Sequence, residues 1–346
     1  MNIYLDSQSF TGNLYPFTLT RHIADIPVGI LTIKEKWEAL TSAKIYTHSE
    51  GLPDDCLQIP AHLIPTRENL SQILEAAREK KLSAQQTSFR FILYPWQIVQ
   101  WNDWAMRQDF ELLTRGKTSA NLPGSVRTSN PDEIFVSASA DLKHCIINAD
   151  TGPVYIGPGV TIMEGAFIRG PFAIGKNSVV KMGTKIYGAT HVGENCVVGG
   201  EIKNSLILSN SNKAHDGYMG DSMIGSWCNW GAGTSNSNVK NTGTEVSYCL
   251  DTNTDAFPAG NKGGVLMGDY CRTAVNTVFN TGAVIGVCCN IFGDVSSKKY
   301  MGSFSWGNER YHFDKAIRDI QNWKLMKHQN THPEEIENLK NVFNQE

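Results

Sequence analysis

A six-residue repeat constrains this chain more than any other feature. Eight consecutive units carry an aliphatic residue at the third place and a glycine or another turn-forming residue shortly after it. They begin at Val154, Val160, Ala166, Phe172, Ser178, Thr184, Thr190 and Cys196. Such a period predicts a short strand and a sharp turn in each unit, with three units closing one coil and stacked coils burying the aliphatic column. The sequence therefore predicts a parallel β-helix over residues 134–300.

The remaining segments predict a flanking domain, a linker and terminal helices. Residues 1–120 alternate apolar strand-like runs with helical patterns, including a helix at 68–81, a strand at 89–94 and a helix from Pro95 to Leu113. Residues 121–133 form the linker, and residues 301–346 contain an amphipathic pattern at 311–327 and a helix starting at Pro333. Hexapeptide-repeat helices wind left-handed, against the usual crossover preference. The predicted fold class is mostly β: a left-handed parallel β-helix with a small N-terminal α/β domain and C-terminal helices.

Composition excludes several partners. The net charge is −3 without a block of like charges, so we expect no nucleic acid and no anionic membrane surface as a partner. No apolar run approaches the length of a membrane span. The eight cysteines form no C-x-x-C pair and the first residues do not resemble a signal peptide, so we expect reduced thiols and a cytoplasmic protein.

A polar, glycine-rich stretch at residues 213–241 interrupts the repeat, and we interpret it as an acyl-transfer site inserted into the β-helix, with residues 241–264 as a second insertion. Acyl transfer to an amine needs a base that works near neutral pH, and His215 is the histidine of this stretch. The developing oxyanion needs N–H donors, which glycine-rich turns can present. A groove for the long thiol arm needs small walls, which Gly231, Ala232 and Gly233 would supply.

The same stretch resembles the acetyltransferase half of the bifunctional N-acetylglucosamine-1-phosphate uridyltransferase and glucosamine-1-phosphate acetyltransferase family. The matching phrases are Glu201-Ile-Lys203, Lys213-Ala-His215, Tyr218-Met-Gly-Asp221, Asn229-Trp-Gly-Ala-Gly-Thr234 and Asn238. The resemblance implies that His215 is the catalytic base and that Asn238 lies near the acetyl group. It implies that the sugar phosphate is bound by Lys181, Lys203, Tyr218 and Asn229, and acetyl-CoA by Gly231, Ala232, Gly233 and Thr234.

The chain is still more similar to a divergent branch of that family with a shortened first domain. The shared phrases include His215-Asp-Gly-Tyr218, Ser237-Asn-Val-Lys-Asn241 and Ser303-Phe-Ser-Trp-Gly307, and the resemblance covers nearly the whole chain. It implies an acetyl-CoA-dependent N-acetyltransferase that acts on an amino-sugar phosphate, in the synthesis of amino-sugar nucleotides for the cell envelope. It also implies a homotrimer with sites between subunits. The identity of the acceptor sugar stays open.

Two other functions remain open. Residues 13–28 resemble a segment of sugar-phosphate nucleotidyltransferases, whose phosphate loop would fall on residues 6–13 and contains a single glycine here. Arg21 is then either an anion-binding residue or a structural ion-pair residue, and Mg²⁺ is expected only if this domain is active. The third hypothesis is a non-enzymatic trimeric scaffold or ligand-binding β-helix, which a His215 side chain inside the column would favour. We predict no metal site, because only His191 and His215 lie within the repeats.

Overall fold

The computed structural model describes residues 1–8, 10, 12–83, 86, 88–252 and 255–345. Two compact units are present. The first comprises Met1–Leu14 and Arg21–Thr118, and the second comprises Tyr15–Thr20 and the described chain from Ser119 onward. The predicted fold class is confirmed: a parallel β-solenoid of about ten turns is accompanied by a small α/β region and C-terminal helices. Its left-handed winding stays a prediction.

The first unit is built on a short parallel sheet. Strand β1 (Asn2–Asp6) pairs with β2 (Lys44–Tyr46) and β3 (Cys56–Pro60), and β4 (Leu63–Ile64) pairs antiparallel with β5 (Arg90–Phe91). The helices are α1 (Ile33–Leu40), α2 (Leu70–Arg78), α3 (Trp96–Gln100) and α4 (Asn102–Thr114). The single helix predicted from Pro95 to Leu113 is wrong, because Trp101 leaves the helical region with ψ of 3° and separates α3 from α4. The strand predicted at residues 89–94 is shorter in the structure, where Arg90–Phe91 form β5.

A buried ion pair joins α1 to α4. The amino group of Lys36 bonds the carboxylate of Asp109, and both side chains are almost completely buried. The same carboxylate accepts the N–H groups of Ile30 at 2.7 Å and Leu31 at 3.0 Å. Burial lowers the pKa of Lys36 and raises that of Asp109. The chain that enters α1 is therefore held to α4 by a charged group that has left water.

The β-helix of the second unit has three faces of parallel strands. The first face contains Ile134–Val136, Val154–Ile156, Phe172–Ile174, Thr190–Val192, Leu206–Ile207, Met223–Ile224, Leu266–Met267, Val284–Ile285 and Tyr300–Met301. The second face contains Asp141–Leu142, Thr161–Ile162, Val179–Val180, Val197–Val198 and Asn212–Lys213, and continues through Asn229 to Arg272–Thr273, Asn290–Ile291 and Ser305–Trp306, with Glu309–Arg310 at its end. The third face contains Arg127–Ser129, Ile146–Asn148, Phe167–Arg169, Lys185–Tyr187, Glu201–Lys203 and Tyr218–Gly220, followed by the pair Ser235–Asn236 and Val278–Phe279.

The repeat sets the spacing of the coils. Val154 pairs with Phe172, and Phe172 pairs with Thr190, so one coil takes 18 residues or three six-residue units. The aliphatic third-place residues are buried in one continuous cluster. Burying such a column is the main favourable contribution to folding, because no coil covers its own interior.

The prediction that residues 213–241 are an insertion is wrong. Asn212–Lys213, Tyr218–Gly220, Met223–Ile224 and Ser235–Asn236 all continue the faces of the β-helix. The polar stretch forms corners instead, because its glycines supply the left-handed backbone that corners need. The chain leaves the coil between Asn236 and Leu266, where Ser247–Tyr248 pairs antiparallel with Phe257–Pro258.

Helices α5 (Phe313–Met326) and α6 (Pro333–Gln345) pack against the edge between the first and second faces. In the early coils this edge has asparagines at left-handed φ, and in the later coils it has Trp227, Tyr270, Cys288 and Phe304 there. Most of these bulky residues are buried in a cluster with the helices. Between the helices, the Lys324 amino group bonds Glu335, which also accepts from the Tyr270 hydroxyl. The backbone cost of bulky residues at positive φ is thus offset by the apolar area they bury.

Candidate active site

Most of the predicted site residues gather along the edge between the second and third faces. Five successive corners stack here through backbone hydrogen bonds, formed by residues 181–184, 199–200, 214–217, 231–234 and 274–277. Gly183, Gly200, Gly217 and Gly233 occupy its left-handed positions, with φ from 70° to 126°. We call it the glycine edge. Lys181 and His215 lie on this edge with Gly231, Ala232, Gly233 and Thr234.

His215 lies in a corner that is longer than the corner stacked on it. Val198 pairs with Lys213 on the second face and Ile202 pairs with Met219 on the third. The corner that contains Gly199 and Gly200 therefore has three residues between these paired positions, and the corner of His215 has five. The longer corner projects, and the side chain of His215 is exposed. The base predicted from the sequence thus faces outward, where a soluble substrate can reach it.

Gly199 and Gly200 make room for this projecting corner. A Cβ atom built on Gly200 would lie 2.7 Å from the carbonyl oxygen of His215 and 2.9 Å from the Cα of Asp216. Both contacts are with backbone and are shorter than real Cβ contacts. Since Gly200 also has φ of +74°, any side chain at this position would push the corner of His215 away.

Sequence reasoning missed the role of Lys213. The repeat was the signal, because Lys213 stands at a third place and aligns with Val180 and Val198 in the interior of the second face. Its side chain is buried, and its Nζ donates to the carbonyl oxygens of His215 at 2.7 Å and Gly199 at 3.0 Å. Burial lowers the pKa of Lys213 to about 8, against the opposing effect of the Asp216 carboxylate.

Lys203 and Tyr218 lie together on the third face, beside the glycine edge. Lys203 pairs with Gly220 and its neighbour Glu201 pairs with Tyr218. The Nζ of Lys203 lies 5.8 Å from the ring centroid of Tyr187, whose hydroxyl donates to Glu201 at 2.6 Å. Burial, with the nearby Asp221 carboxylate, raises the pKa of Tyr218 to about 12. Tyr218 is therefore a neutral phenol at ordinary pH, able to donate a hydrogen bond.

Asp221 connects Asn238 to this group and was also missed as a site residue. Its buried carboxylate accepts from the side-chain amides of Asn238 and Asn204, the latter at 2.6 Å. Asn238 also hydrogen-bonds Tyr218, which opposes the rise in the tyrosine pKa. Asn238 and Tyr218, which are 20 residues apart in sequence, thus belong to one hydrogen-bonded network. Its donors and acceptors suit a polar ligand such as a sugar.

The predicted acetyl-CoA wall is built into the edge. The N–H of Gly231 donates to Thr273 Oγ1 at 2.9 Å, and the N–H of Gly233 donates to the Asp216 carbonyl at 2.9 Å. The buried Thr234 hydroxyl lies 2.9 Å from Thr273 Oγ1. These groups bind within the stack, so this segment offers a wall with little side-chain bulk rather than hydrogen bonds to an oxyanion.

The structure does not bring Asn229 into this group. Asn229 lies on the second face between Asn212 and Arg272, with its Oδ1 at 3.5 Å from Asn212 Nδ2. Lys327, next to the end of α5, donates to Asn212 Oδ1 at 3.2 Å. Asn229 is therefore separated from Tyr218 by the glycine edge. Arg21 belongs to the first unit, where it is half-buried.

The predicted phosphate loop at residues 6–13 is described in part, since Ser9 and Thr11 lie outside the described residues. Asp6 is buried and accepts the N–H of Gln8 at 2.8 Å and the Nε2 of Gln58 at 3.0 Å. Among residues 1–8, 10, 12–83, 86, 88–252 and 255–345, no three His, Cys, Asp or Glu side chains are arranged to hold a metal ion. Nor does any helix in the described part of the chain have the length and apolarity to cross a membrane.

Comparison with known proteins identifies the first unit. Residues 3–88 match the model of a family described as sugar nucleotidyl transferase. Over 89 residues the chain is 33% identical to the bifunctional protein GlmU of Methanocaldococcus jannaschii, covering 26% of this chain and 21% of the relative. The N-terminal region of the chain is GlmU-like. The predicted family resemblance is thereby confirmed for the N-terminal region.

Two further relatives support the same assignment. The match to the bifunctional protein GlmU of Methanococcus maripaludis is 31% identical over 107 residues, which is 29% of this chain and 26% of the relative. The match to a bifunctional sugar-1-phosphate nucleotidylyltransferase/acetyltransferase of Sulfurisphaera tokodaii is 32% identical over 93 residues, 27% of this chain and 23% of the relative. The chain spans only about a fifth to a quarter of the length of these relatives. The family match ends at residue 88 and does not reach the glycine edge.

Proposed function

We propose that the β-helix is an acetyl-CoA-dependent N-acetyltransferase whose acceptor is an amino-sugar phosphate such as glucosamine-1-phosphate, on the route to amino-sugar nucleotides for the cell envelope. The observation that carries the proposal is the exposed His215 on a projecting corner, with a wall of small residues below it and the network of Tyr218, Asn238 and Asp221 beside it. Lys203 and Lys181 add positive charge near the same edge. This combination matches the needs of amine acylation.

The chemistry requires one proton acceptor and one leaving group. An amino sugar is mostly an ammonium ion at neutral pH, and its nitrogen attacks only after it loses a proton to His215. A carbon–nitrogen bond then forms at the thioester carbonyl and the carbon–sulfur bond breaks. The departing thiolate takes up a proton and leaves as free thiol. Tyr218 and Asn238 would orient the sugar, Lys203 and Lys181 would bind its phosphate, and Gly231, Ala232, Gly233 and Thr234 would border acetyl-CoA.

Thiol release from acetyl-CoA tests the proposal. Wild-type protein with glucosamine-1-phosphate should release free thiol only when both substrates are present. His215→Ala should lower kcat by about 10²-fold or more, the usual contribution of a general base. His144 is a matched control, because it is another exposed histidine at a corner between the same faces, with φ of 48°, and His144→Asn should retain activity. Release that does not depend on the amine, or full activity of His215→Ala, would refute the proposal.

We also propose that the chain acts as a homotrimer. Support comes from exposed apolar residues on the third face, where Phe167 is 52% exposed and Ile146 is 39% exposed. They line a surface cavity of about 590 Å³ together with Arg169, Lys185 and Tyr187. Large apolar side chains concentrated on one face are typical of protein interfaces. Light scattering should give the mass of three chains, and Phe167→Glu should lower it; a monomeric wild-type protein would contradict the proposal.

Nucleotidyl transfer by the first unit is the second candidate, favoured by the family match to residues 3–88. Arg21 would bind a phosphate, and Mg²⁺, if bound, would supply further positive charge to the phosphates. The test is pyrophosphate release from UTP or TTP with a sugar-1-phosphate and Mg²⁺, lost on addition of a chelator. No release with any sugar-1-phosphate in a panel would reject this activity.

The scaffold hypothesis loses the observation that would have favoured it, because His215 is exposed rather than inside the column.

We also propose a cytoplasmic location for the protein, supported by its eight unpaired cysteines.

A further inference from the structure

Lys213 is a charged residue at a position built for an aliphatic one. The two preceding coils place Val180 and Val198 at this point of the interior, and only 2% of the surface of Lys213 is exposed. A buried lysine is costly, since desolvation disfavours its charge and apolar residues fill such a position without that penalty. An explanation of this lysine therefore has to come from what its amino group binds.

The amino group binds the corner of His215. Its Nζ lies 2.7 Å from the carbonyl oxygen of His215 and 3.0 Å from that of Gly199 in the shorter corner above. The two corners differ in length by two residues. Backbone hydrogen bonds join their ends, from the Gly199 N–H to the Lys213 carbonyl and from the Glu201 N–H to the Gly217 carbonyl, and the lysine side chain adds a link at the His215 carbonyl between them. The lysine connects them from the inside of the column, on the opposite side from the exposed imidazole.

We propose that Lys213 is a positioning residue for His215, holding the carbonyl of the histidine so that its projecting corner keeps one geometry toward the substrate. The inference rests on the proposed acetyltransferase function and deepens it. The five-residue corner packs against two glycines, Gly199 and Gly200, and without the lysine it would have several accessible conformations. A small misplacement of a catalytic group lowers the reaction rate strongly.

Lys213→Met is the decisive variant, because methionine keeps the length of the side chain, lacks donors and suits the apolar column. Lys143→Met is the matched control: Lys143 follows the second-face strand Asp141–Leu142 at the same kind of corner, but it is exposed and paired with Asp141. For both variants and the wild type, the full-length protein is measured in steady-state kinetics. The resonance of the His215 imidazole is recorded by NMR with ¹³C-labelled histidine and assigned through His215→Ala.

We expect Lys213→Met to lower kcat by about tenfold or more with KM changed less than about twofold, because positioning acts on the reacting geometry. The His215 imidazole resonance should broaden or split, because its corner no longer keeps one conformation. Lys143→Met should match the wild type in both measurements. Unchanged kcat together with an unchanged, single His215 resonance in a folded Lys213→Met protein would overturn the proposal. A wild type without acetyltransferase activity would refute the proposed function alone, and the NMR comparison would still decide whether Lys213 fixes the corner of His215.

Discussion

Substituting Gly200 by alanine should displace the corner of His215, and the size of the effect follows from two separate contributions. The first is backbone strain, because Gly200 has φ of +74°, where an L-residue costs about 1–2 kcal/mol relative to glycine. The second is steric. The new Cβ would meet the His215 carbonyl oxygen at 2.7 Å and the Asp216 Cα at 2.9 Å, and overpacking against backbone costs about 1–3 kcal/mol more.

Gly183→Ala separates the two contributions. Gly183 lies on the same edge one coil earlier with φ of +70°, and a Cβ built there meets nothing within 4 Å. Gly183→Ala should therefore lower the free energy of unfolding through backbone strain alone. In urea unfolding followed by tryptophan fluorescence, we expect Gly200→Ala to lose about 1–3 kcal/mol more than Gly183→Ala. Only Gly200→Ala should also lose most of its thiol-releasing activity. Equal destabilisation of the two variants, within about 0.5 kcal/mol, would refute the reasoning that the corner of His215 packs directly on Gly200.

Three further predictions concern buried charges. Lys213 has a folded-state pKa of about 8, below the ordinary value of 10.5, so the unfolded chain binds the extra proton between these pH values. The free energy of unfolding of the wild type, relative to that of Lys213→Met, should therefore increase by about 3 kcal/mol as the pH rises from 7 to 10.5. If this relative free energy did not change with pH, the lysine would be solvated rather than buried. Asp109→Ala leaves the Lys36 charge buried without its partner and should destabilise the first unit by about 3–5 kcal/mol in the same assay, more than the double change of Lys36 to Met and Asp109 to Leu. Glu335→Ala similarly removes the carboxylate partner of Lys324 between α5 and α6, and it should raise the protease sensitivity of the C-terminal helices. Glu309→Ala, a control at an exposed glutamate, should leave the protease sensitivity unchanged.

The sequence predicts the structure well wherever the six-residue repeat is regular. Eight units in one register determine which residues face the column, so the interior row through Val180 and Val198 could be predicted before any coordinates. Asn276 occupies a corner of this column with φ of 56°, a left-handed backbone that asparagine tolerates.

The site was harder to predict because it depends on the difference between neighbouring coils. Motif resemblance brought His215, Tyr218 and Asn238 into one proposed site, and the structure places Tyr218 and Asn238 in one network. Asp221, which joins them, carried no signal beyond its place in a motif. Asn229 was grouped with Tyr218 by the same resemblance, yet it faces the other side of the glycine edge. Sequence spacing does not tell which face a residue occupies once the period is broken.

The broken period is itself what creates a site on a fold of this kind. A coil of constant length repeats the same corner, and stacked identical corners leave a smooth edge with no recess for a ligand. Here the spacing of paired residues on the first face falls from 18 to 15 between His191 and Leu206, and to 17 between Leu206 and Met223. These are the coils whose corners contain Gly200 and His215. The shortened corner leaves a step, the longer corner projects beyond it, and Lys213 holds the two together from inside. A departure of two or three residues from the repeat is therefore enough to turn a structural column into a place where a base can meet a substrate.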